Sequence, residues 1–498
     1  MCAWRIAIAI LLVTSGFAAA ADNGLTAFKA ADYDTAIPLL QNAVALAPKD
    51  AALHAALLSA LVYQGRVEEA SDAAESDSLN FPDSPEVIAA RGDYAFYMGD
   101  MPEAEKLYKT AAKLNGQSAR AYYGLCRLYR ALSFYRMGRL FCLKAHDLDP
   151  DDALITQAWL RYVPAERRNE LLVPFAAAHP WLYKHYEEQT ETSKEVSVEL
   201  NKRKPFELDG IPQETTLHLV LLMNDGQHAR GLGLEFKIGN GRSMRLLLDT
   251  GASGIVLRQT AVDKAELNHL GSGEAWGVGD KGKRKTFEAV ADTCTIASLK
   301  FKACIIKATE GKARIAGDED GLIGADVFSD YLISIDFQKH LLHLKPFPPR
   351  PPNAQGYDRE VNPDEANFTP VFRFGHELLV TTTLNRKSTG LFLIDTGAGI
   401  SNVDSTFARL STKIRGTDYL RVRGVSGEVK DVFEADKAEL RFSHFQQKNL
   451  GLTAFDLNNQ PDHQEIRLAG ILGMPVLVMF RLTIDYRNGL VNFDYALK

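Results

Sequence analysis

The chain is poor in the residues that usually hold metals. Only 5 cysteines and 12 histidines stand among 498 residues, and none fall at CxxC or HxxxH spacing, so a zinc-type site is not expected. His340 and His343, three apart on an expected strand, would point to opposite faces and read as structural. Charge of one sign is also scarce, with 57 Lys and Arg against 63 Asp and Glu for a net charge of −6. No basic stripe favours nucleic acid, and no acidic block favours a disordered tail. Long apolar runs are missing as well. The longest lies at the start and falls short of the ~20 residues a membrane helix needs, so stable membrane insertion is not expected.

That opening run reads as a secretory signal over residues 1–21. Arg5 is the positive head, Ile6 to Thr14 the apolar stretch, and Ala18–Ala21 the small residues for cleavage. Export to the periplasm or outside the cell is therefore expected. Cys2 precedes the apolar stretch and is badly placed for lipidation. Four cysteines remain in a compartment expected to be oxidising. Cys294 and Cys304 flank residue 299 in a hairpin-like segment, and Cys126 and Cys142 lie in a helical region. Each pair could be bridged or remain as buried thiols.

A chain of this length predicts two or three domains. The first part repeats itself every 34 residues. Pro48 and Pro82 stand one step apart and Pro150 two steps on, with Gly116 in the intermediate slot. Ala36, Ala70, Ala104 and Gly138 keep the same step, as do Ala31, Gly65 and Gly99. Small residues let paired helices approach, and Pro or Gly ends each pair. This pattern resembles tetratricopeptide repeats. Four copies cover about 22–152, and further helix to about 190 caps the stack. The resemblance implies an all-α solenoid over 22–190 whose concave face takes a peptide or partner protein. A linker is expected over 191–212.

From 213 the texture becomes short β-rich runs with glycine turns. Five prolines between 346 and 352 cannot build a sheet interior, so a linker is expected over 346–367. It separates two β lobes, 213–345 and 368–498. The lobes are copies. "RLLLDTGASGIVL" ends an apolar run on Asp249, and "GLFLIDTGAGISNV" does the same with Asp395. Gly277 follows the first acid by 28 residues and Gly424 the second by 29; Gly324 follows by 75 and Gly473 by 78. Asp336 and Asp485 each lie 12 beyond those last glycines.

An unpaired carboxylate at the end of a dry strand is unfavourable. Two of them, each in Asp-Thr-Gly and each followed by a Gly-tipped hairpin and an apolar-apolar-Gly element, resemble the aspartic protease superfamily. In that family each of two lobes donates one aspartate. The DTGA tetrapeptides and compact lobes look more like the retroviral branch, and one covalent chain looks more like the pepsin-type arrangement. The resemblance implies a bilobal all-β fold, no cofactor or metal, and a peptide or protein substrate. Asp249 and Asp395 would share a proton and activate a water between them. Thr250 and Thr396 would hydrogen-bond across the lobes, and Gly251 and Gly397 would allow close backbone approach and donate N–H groups to the carboxylates. Gly324 and Gly473 would pack beside the catalytic loops in a structural role. Trp276, Gly277 and Gly279, with a basic tip of Lys281, Lys283, Arg284 and Lys285, would form one flap; Gly424 and Gly427 would form a second.

Two departures from the pepsin-type pattern stand out. Ala252 and Ala398 follow the triplets where a Ser or Thr is usual, which implies a less acidic pair and activity nearer neutral pH. No flap tyrosine is found. The competing reading is a binding scaffold whose lobes keep the fold without cleaving, and pairing of lobes between two molecules is a third.

Overall fold

The computed structural model describes residues 21–183, 186–224, 228–275, 277–279, 282–311, 317–348, 357–417, 420–424, 426–458 and 465–496. Residues 1–20 of the expected signal over 1–21, together with Trp276, Lys281 and the centre of the Pro-rich stretch, lie outside the described residues. The chain forms two compact units. One takes in residues 1–184 with the short segments 355–357 and 462–467; the other takes in 185–354, 358–461 and 468–498.

The first unit is helical. Helices Ala51–Tyr63, Pro85–Tyr97, Ala119–Ala131 and Ala153–Leu160 begin after Asp50, Ser84, Ser118 and Asp152. Each of those side chains accepts a hydrogen bond from a first-turn amide, meeting a need that every helix start has. These caps recur at the 34-residue step. Ala31, Gly65, Gly99 and Ser133 keep that step too, and all four are left-handed, with φ of 60°, 72°, 79° and 63°. This offset therefore serves the turn between paired helices rather than their close approach. Close approach belongs to Ala36, Ala70, Ala104 and Gly138, all buried in helix crossings. Ser59, Asp93 and Arg127, again 34 apart, meet in the interior. Asp93 is fully buried and accepts from Ser59 Oγ at 3.0 Å, Tyr108 Oη at 2.7 Å and Arg127 Nη2 at 2.8 Å. Cys126 and Cys142 are bridged, tying the two helices of the fourth repeat together.

The second unit is built of β-sheet around one continuous apolar core that runs from Leu217 to Phe493. Among the described residues a nine-stranded sheet carries the first aspartate and an eight-stranded sheet the second. A six-stranded sheet draws strands from both halves. At its middle, Tyr331–Asp336 runs antiparallel to Phe480–Asp485, with Ser334 opposite Thr483. Asp336 and Asp485 end these strands and each accepts from the amide three residues on, Lys339 or Asn488. They are turn-forming residues in both copies.

Three expectations are corrected. Residues 191–212 are not a linker: Tyr186–Leu200 is a helix, and Glu207–Leu208 pairs with Phe301 and Lys302. The physical reason is Val196, which packs on Leu270 and Val290, together with Thr192 Oγ1, which donates to Ser272 O at 2.9 Å. His340 is not on a strand but at a left-handed turn position, φ 54°, while His343 lies on Leu341–Pro346 with Nδ1 2.8 Å from Thr216 Oγ1. The hairpin holding Cys294 and Cys304 turns at Ala297 and Ser298 rather than at 299, so Cys294 stands opposite Phe301. The two cysteines are nevertheless bridged.

Candidate active site

Asp249 ends the strand Met244–Asp249, and Asp395 follows Ser388–Ile394. Both strands are sandwiched. Met244–Asp249 lies between Ala229–Ile238 and the parallel strand Gly321–Gly324, with Gly324 in register with Asp249. Ser388–Ile394 lies between Glu377–Leu384 and Gly470–Leu472 in the same way. Leu246 to Leu248 and Gly390 to Ile394 are buried on both faces, which accounts for the two apolar runs in the sequence. Gly324 and Gly473 follow from this packing. A Cβ on Gly324 would lie 3.0 Å from Gly254 N, and one on Gly473 would lie 2.7 Å from Ala398 O.

The two loops meet across a local pseudo-twofold axis. Thr250 N–H donates to Thr396 Oγ1 at 3.0 Å, and Thr396 N–H donates to Thr250 Oγ1 at 3.0 Å. Each hydroxyl then donates across to a strand carbonyl, Thr250 to Ile394 O and Thr396 to Leu248 O, both at 2.7 Å. Both threonines are buried, so every polar atom of this ladder has its partner indoors. Gly251 N–H donates to Asp249 Oδ1 at 2.8 Å, and Gly397 N–H to Asp395 Oδ1 at 2.8 Å. Ala398 N–H adds a second donor to Asp395 Oδ1 at 3.0 Å. The glycines also nest crosswise. A Cβ on Gly251 would come within 2.9 Å of the Asp395 carboxyl carbon, and one on Gly397 would collide with the Asp249 carboxyl. Any side chain there would push the carboxyls apart.

The crossed glycines set the two carboxyl groups beside each other, where each bears on the ionisation of the other. Both pKa values are raised, and in each case burial is the largest cause. For Asp395 the neighbouring Asp249 charge adds to the rise; for Asp249 the cations Arg230 and His376 partly offset it. Both aspartates are largely buried but keep a partly exposed edge that water can reach. A half-protonated carboxyl pair open to water can take a proton from that water and give another to a bound carbonyl.

The flap glycines come together too. Gly277 N–H donates to Ser426 Oγ at 3.2 Å, and Ser426 N–H donates to Val278 O at 3.0 Å. Gly279 abuts the backbone of Ser426 and Gly427, and Gly424 abuts Val278. Thus the tip beyond Leu270–Ala275 meets the small hairpin Arg423–Gly424 and Gly427–Glu428. Trp276 and Lys281 lie outside the described residues. Lys283 pairs with Glu274 at 2.7 Å, so this part of the basic cluster is engaged within its own hairpin.

Sequence reasoning missed several contributors. Asp326 accepts from Ser253 Oγ at 2.8 Å and Gly254 N–H at 2.9 Å, bracing the first loop. Ser401 Oγ accepts from Gly473 N–H at 3.0 Å beside the second. Ser426 joins the flap tips. Arg230 and His376 each reach the opposite loop. Comparing the halves upstream of the aspartates would have found the last two, since each stands 19 residues before its own acid.

Residues 234–327 match the family described as aspartyl protease. Residues 27–94 and 89–140 match two families described as tetratricopeptide repeat. The chain therefore carries an aspartyl protease domain behind N-terminal tetratricopeptide repeats, an all-α solenoid followed by an all-β unit. No curated protein matches it in sequence. Solved structures with similarity include a thermophilic tetratricopeptide-repeat protein of Thermus thermophilus, at 16% identity over 32% of this chain and 98% of that one, TM-score 0.26. Another is a point mutant of MamA, at 19% identity over 33% of this chain and 96% of that one, TM-score 0.21.

Proposed function

We propose that this chain is an exported aspartic endopeptidase that hydrolyses peptide bonds with a water activated between Asp249 and Asp395. The observation that carries the reading is the reciprocal threonine ladder, which holds two neighbouring, partly exposed carboxyls in matching loops. The ionised member takes a proton from the water as it attacks the peptide carbonyl. The protonated member donates to the carbonyl oxygen, and proton transfer to nitrogen then releases the amine. The pair acts as a unit, since one proton serves both carboxyls. The flap tips, one from each lobe, close over the substrate and exclude bulk water. The helical repeats recruit a protein or peptide, and the two disulfides suit a periplasmic or secreted setting. Ala252 and Ala398 offer the carboxyls no hydroxyl, which favours work at weakly acid to neutral pH.

A peptide-library digest from pH 3 to 8 tests this, comparing the wild type with Asp249→Asn and Asp395→Asn. Cleavage by the wild type that falls by three or more orders of magnitude in both variants is expected. No wild-type cleavage at any pH would leave the fold without the activity. Sequencing the N-terminus of protein recovered from the exported fraction tests removal of residues 1–21.

A further inference from the structure

In the helical unit, four buried hydrogen-bond donors lie close together unpaired. Tyr33 Oη, Tyr63 Oη, Arg120 Nη1 and Arg127 Nε have no hydrogen-bond partner among the described residues. They come from three helices, Tyr33–Leu46, Ala51–Tyr63 and Ala119–Ala131, and meet around one ring. Tyr33 stacks on Tyr63 with ring centres 5.5 Å apart and planes inclined by 19°. The guanidinium carbons of Arg120 and Arg127 lie 5.6 Å and 5.4 Å from the centre of the Tyr63 ring. They lie 5.7 Å and 4.9 Å from that of Tyr123. Tyr33 and Arg127 are only 7% and 5% exposed, whereas Tyr63 and Arg120 are partly open. The cluster is therefore reached from solvent at those two residues.

A buried donor without an acceptor is costly, so what the place lacks is an acceptor. The acids at hand do not supply one. Asp93 already takes three donors. Asp152 is taken up by Arg120 Nη2 at 2.6 Å and by Ile155 N–H at 3.1 Å. Asp77 Oδ2 is itself unpartnered, but Asp77 stands with His54 in the first turn of Ala51–Tyr63, at the other end of that helix from Tyr63. An ionised carboxylate offers about four lone-pair sites, enough for all four donors, whereas a peptide carbonyl offers two.

The helical unit itself indicates what kind of chain brings the carboxylate. Its short segment 462–467 runs past the same row of helix ends. Arg467 N–H donates to Tyr97 O at 2.6 Å, Ile466 is buried, and Glu465 bears on the ionisation of Tyr123. Tyr97 holds, one 34-residue step on, the place of Tyr63. A short non-helical segment with an acid inside it is thus already accommodated along this row. We propose that Tyr33, Tyr63, Arg120 and Arg127 form a recognition pocket for an acidic side chain, Glu or Asp, within a peptide bound by the repeats. This rests on the recruiting role given to the repeats above.

The test uses the full chain carrying Asp249→Asn, so that bound peptide is not cut, with and without Glu465→Gln to remove competition from the chain's own acid. The probes are fluorescein-labelled, C-terminally amidated peptide libraries with a fixed Glu or a fixed Gln, and a third library without acids but with a free C-terminus. Fluorescence anisotropy should show the Glu library binding about ten-fold tighter than the Gln library, the scale of hydrogen bonds to a charged group. Tyr33→Phe and Tyr63→Phe should each lose most of that preference and leave Gln-library binding unchanged. Both should also raise the melting temperature of the unliganded protein, since each removes an unpaired buried hydroxyl. Phe variants that lose stability and binding together would mark the hydroxyls as structural and overturn the proposal. So would Phe variants that bind like the parent, or a preference for the free C-terminus over an internal Glu. Equal binding of the Glu and Gln libraries would overturn the pocket but leave the recruiting role. No peptide bound in either background would overturn both.

Discussion

Asp395 lies just past four buried residues, Leu391 to Ile394, and its pKa stands well above that of an ordinary carboxyl, chiefly through burial and then through Asp249. The unfolded value is near 4, so the folded chain binds the proton more tightly. The stability linked to this group is therefore full below about pH 4 and is lost as pH rises through the folded value. Asp395→Asn should accordingly stabilise the β unit at pH 7, by on the order of 1–2 kcal/mol, with the gain fading as pH falls toward about 4. Thermal melts across that range check it, and a variant less stable than wild type at pH 7 would contradict it. Thr396→Val should have the opposite effect, because it strands the buried Thr250 N–H and Leu248 carbonyl. A loss of about 2–4 kcal/mol is expected, largely restored by Thr396→Ser, and denaturant titration reads both. At this scale the acids, threonines and glycines were legible because Asp-Thr-Gly recurs intact at the end of two apolar runs. Arg230 and His376 were not legible, since a guanidinium and an imidazole look unrelated until their places are overlaid.

Individual elements carry their own accounting. The 34-residue step was visible in prolines, alanines and glycines, but its physical roles were only partly so. One offset is the left-handed turn, where Gly65 and Gly99 are at ease and Ala31 and Ser133 are not. Ala31→Gly should relieve strain and raise helical-unit stability by up to about 1 kcal/mol, whereas Gly65→Ala should lower it by about 1 kcal/mol. Far-UV circular dichroism melts distinguish the two signs. Another offset is the buried Ser59, Asp93 and Arg127 series. Three unlike residues at one repeat position hide a hydrogen-bonded chain that no similarity count reveals. Asp93→Ala leaves the Arg127 cation buried without its partner and should destabilise the helical unit by about 3–5 kcal/mol, measured by the same melts. The helix Tyr186–Leu200 was misread as linker because it is polar along most of its length. Only its contacts with Leu270 and Val290 settle its place.

For the molecule as a whole, class and order were readable: helical repeats, then two β lobes from a duplication. Pairing of the lobes within one chain was not, because a linker long enough to permit it does not demand it. Nor was either disulfide, since spacing alone left thiols equally open. Each bridge closes a short loop, 16 and 10 residues, so reduction should cost about 2–3 kcal/mol per bridge. Melts with and without reductant should show the loss in both units.

The woven six-stranded sheet sets a schedule. Tyr331–Asp336 pairs on one side with Leu341–Pro346 but on the other with Phe480–Asp485, and the strand after that is Leu490–Tyr495. A polypeptide still emerging from the ribosome therefore has one acid loop in hand long before the sheet beneath the pair can knit. Synthesis order itself would hold back any hydrolytic capacity until that late hairpin has emerged.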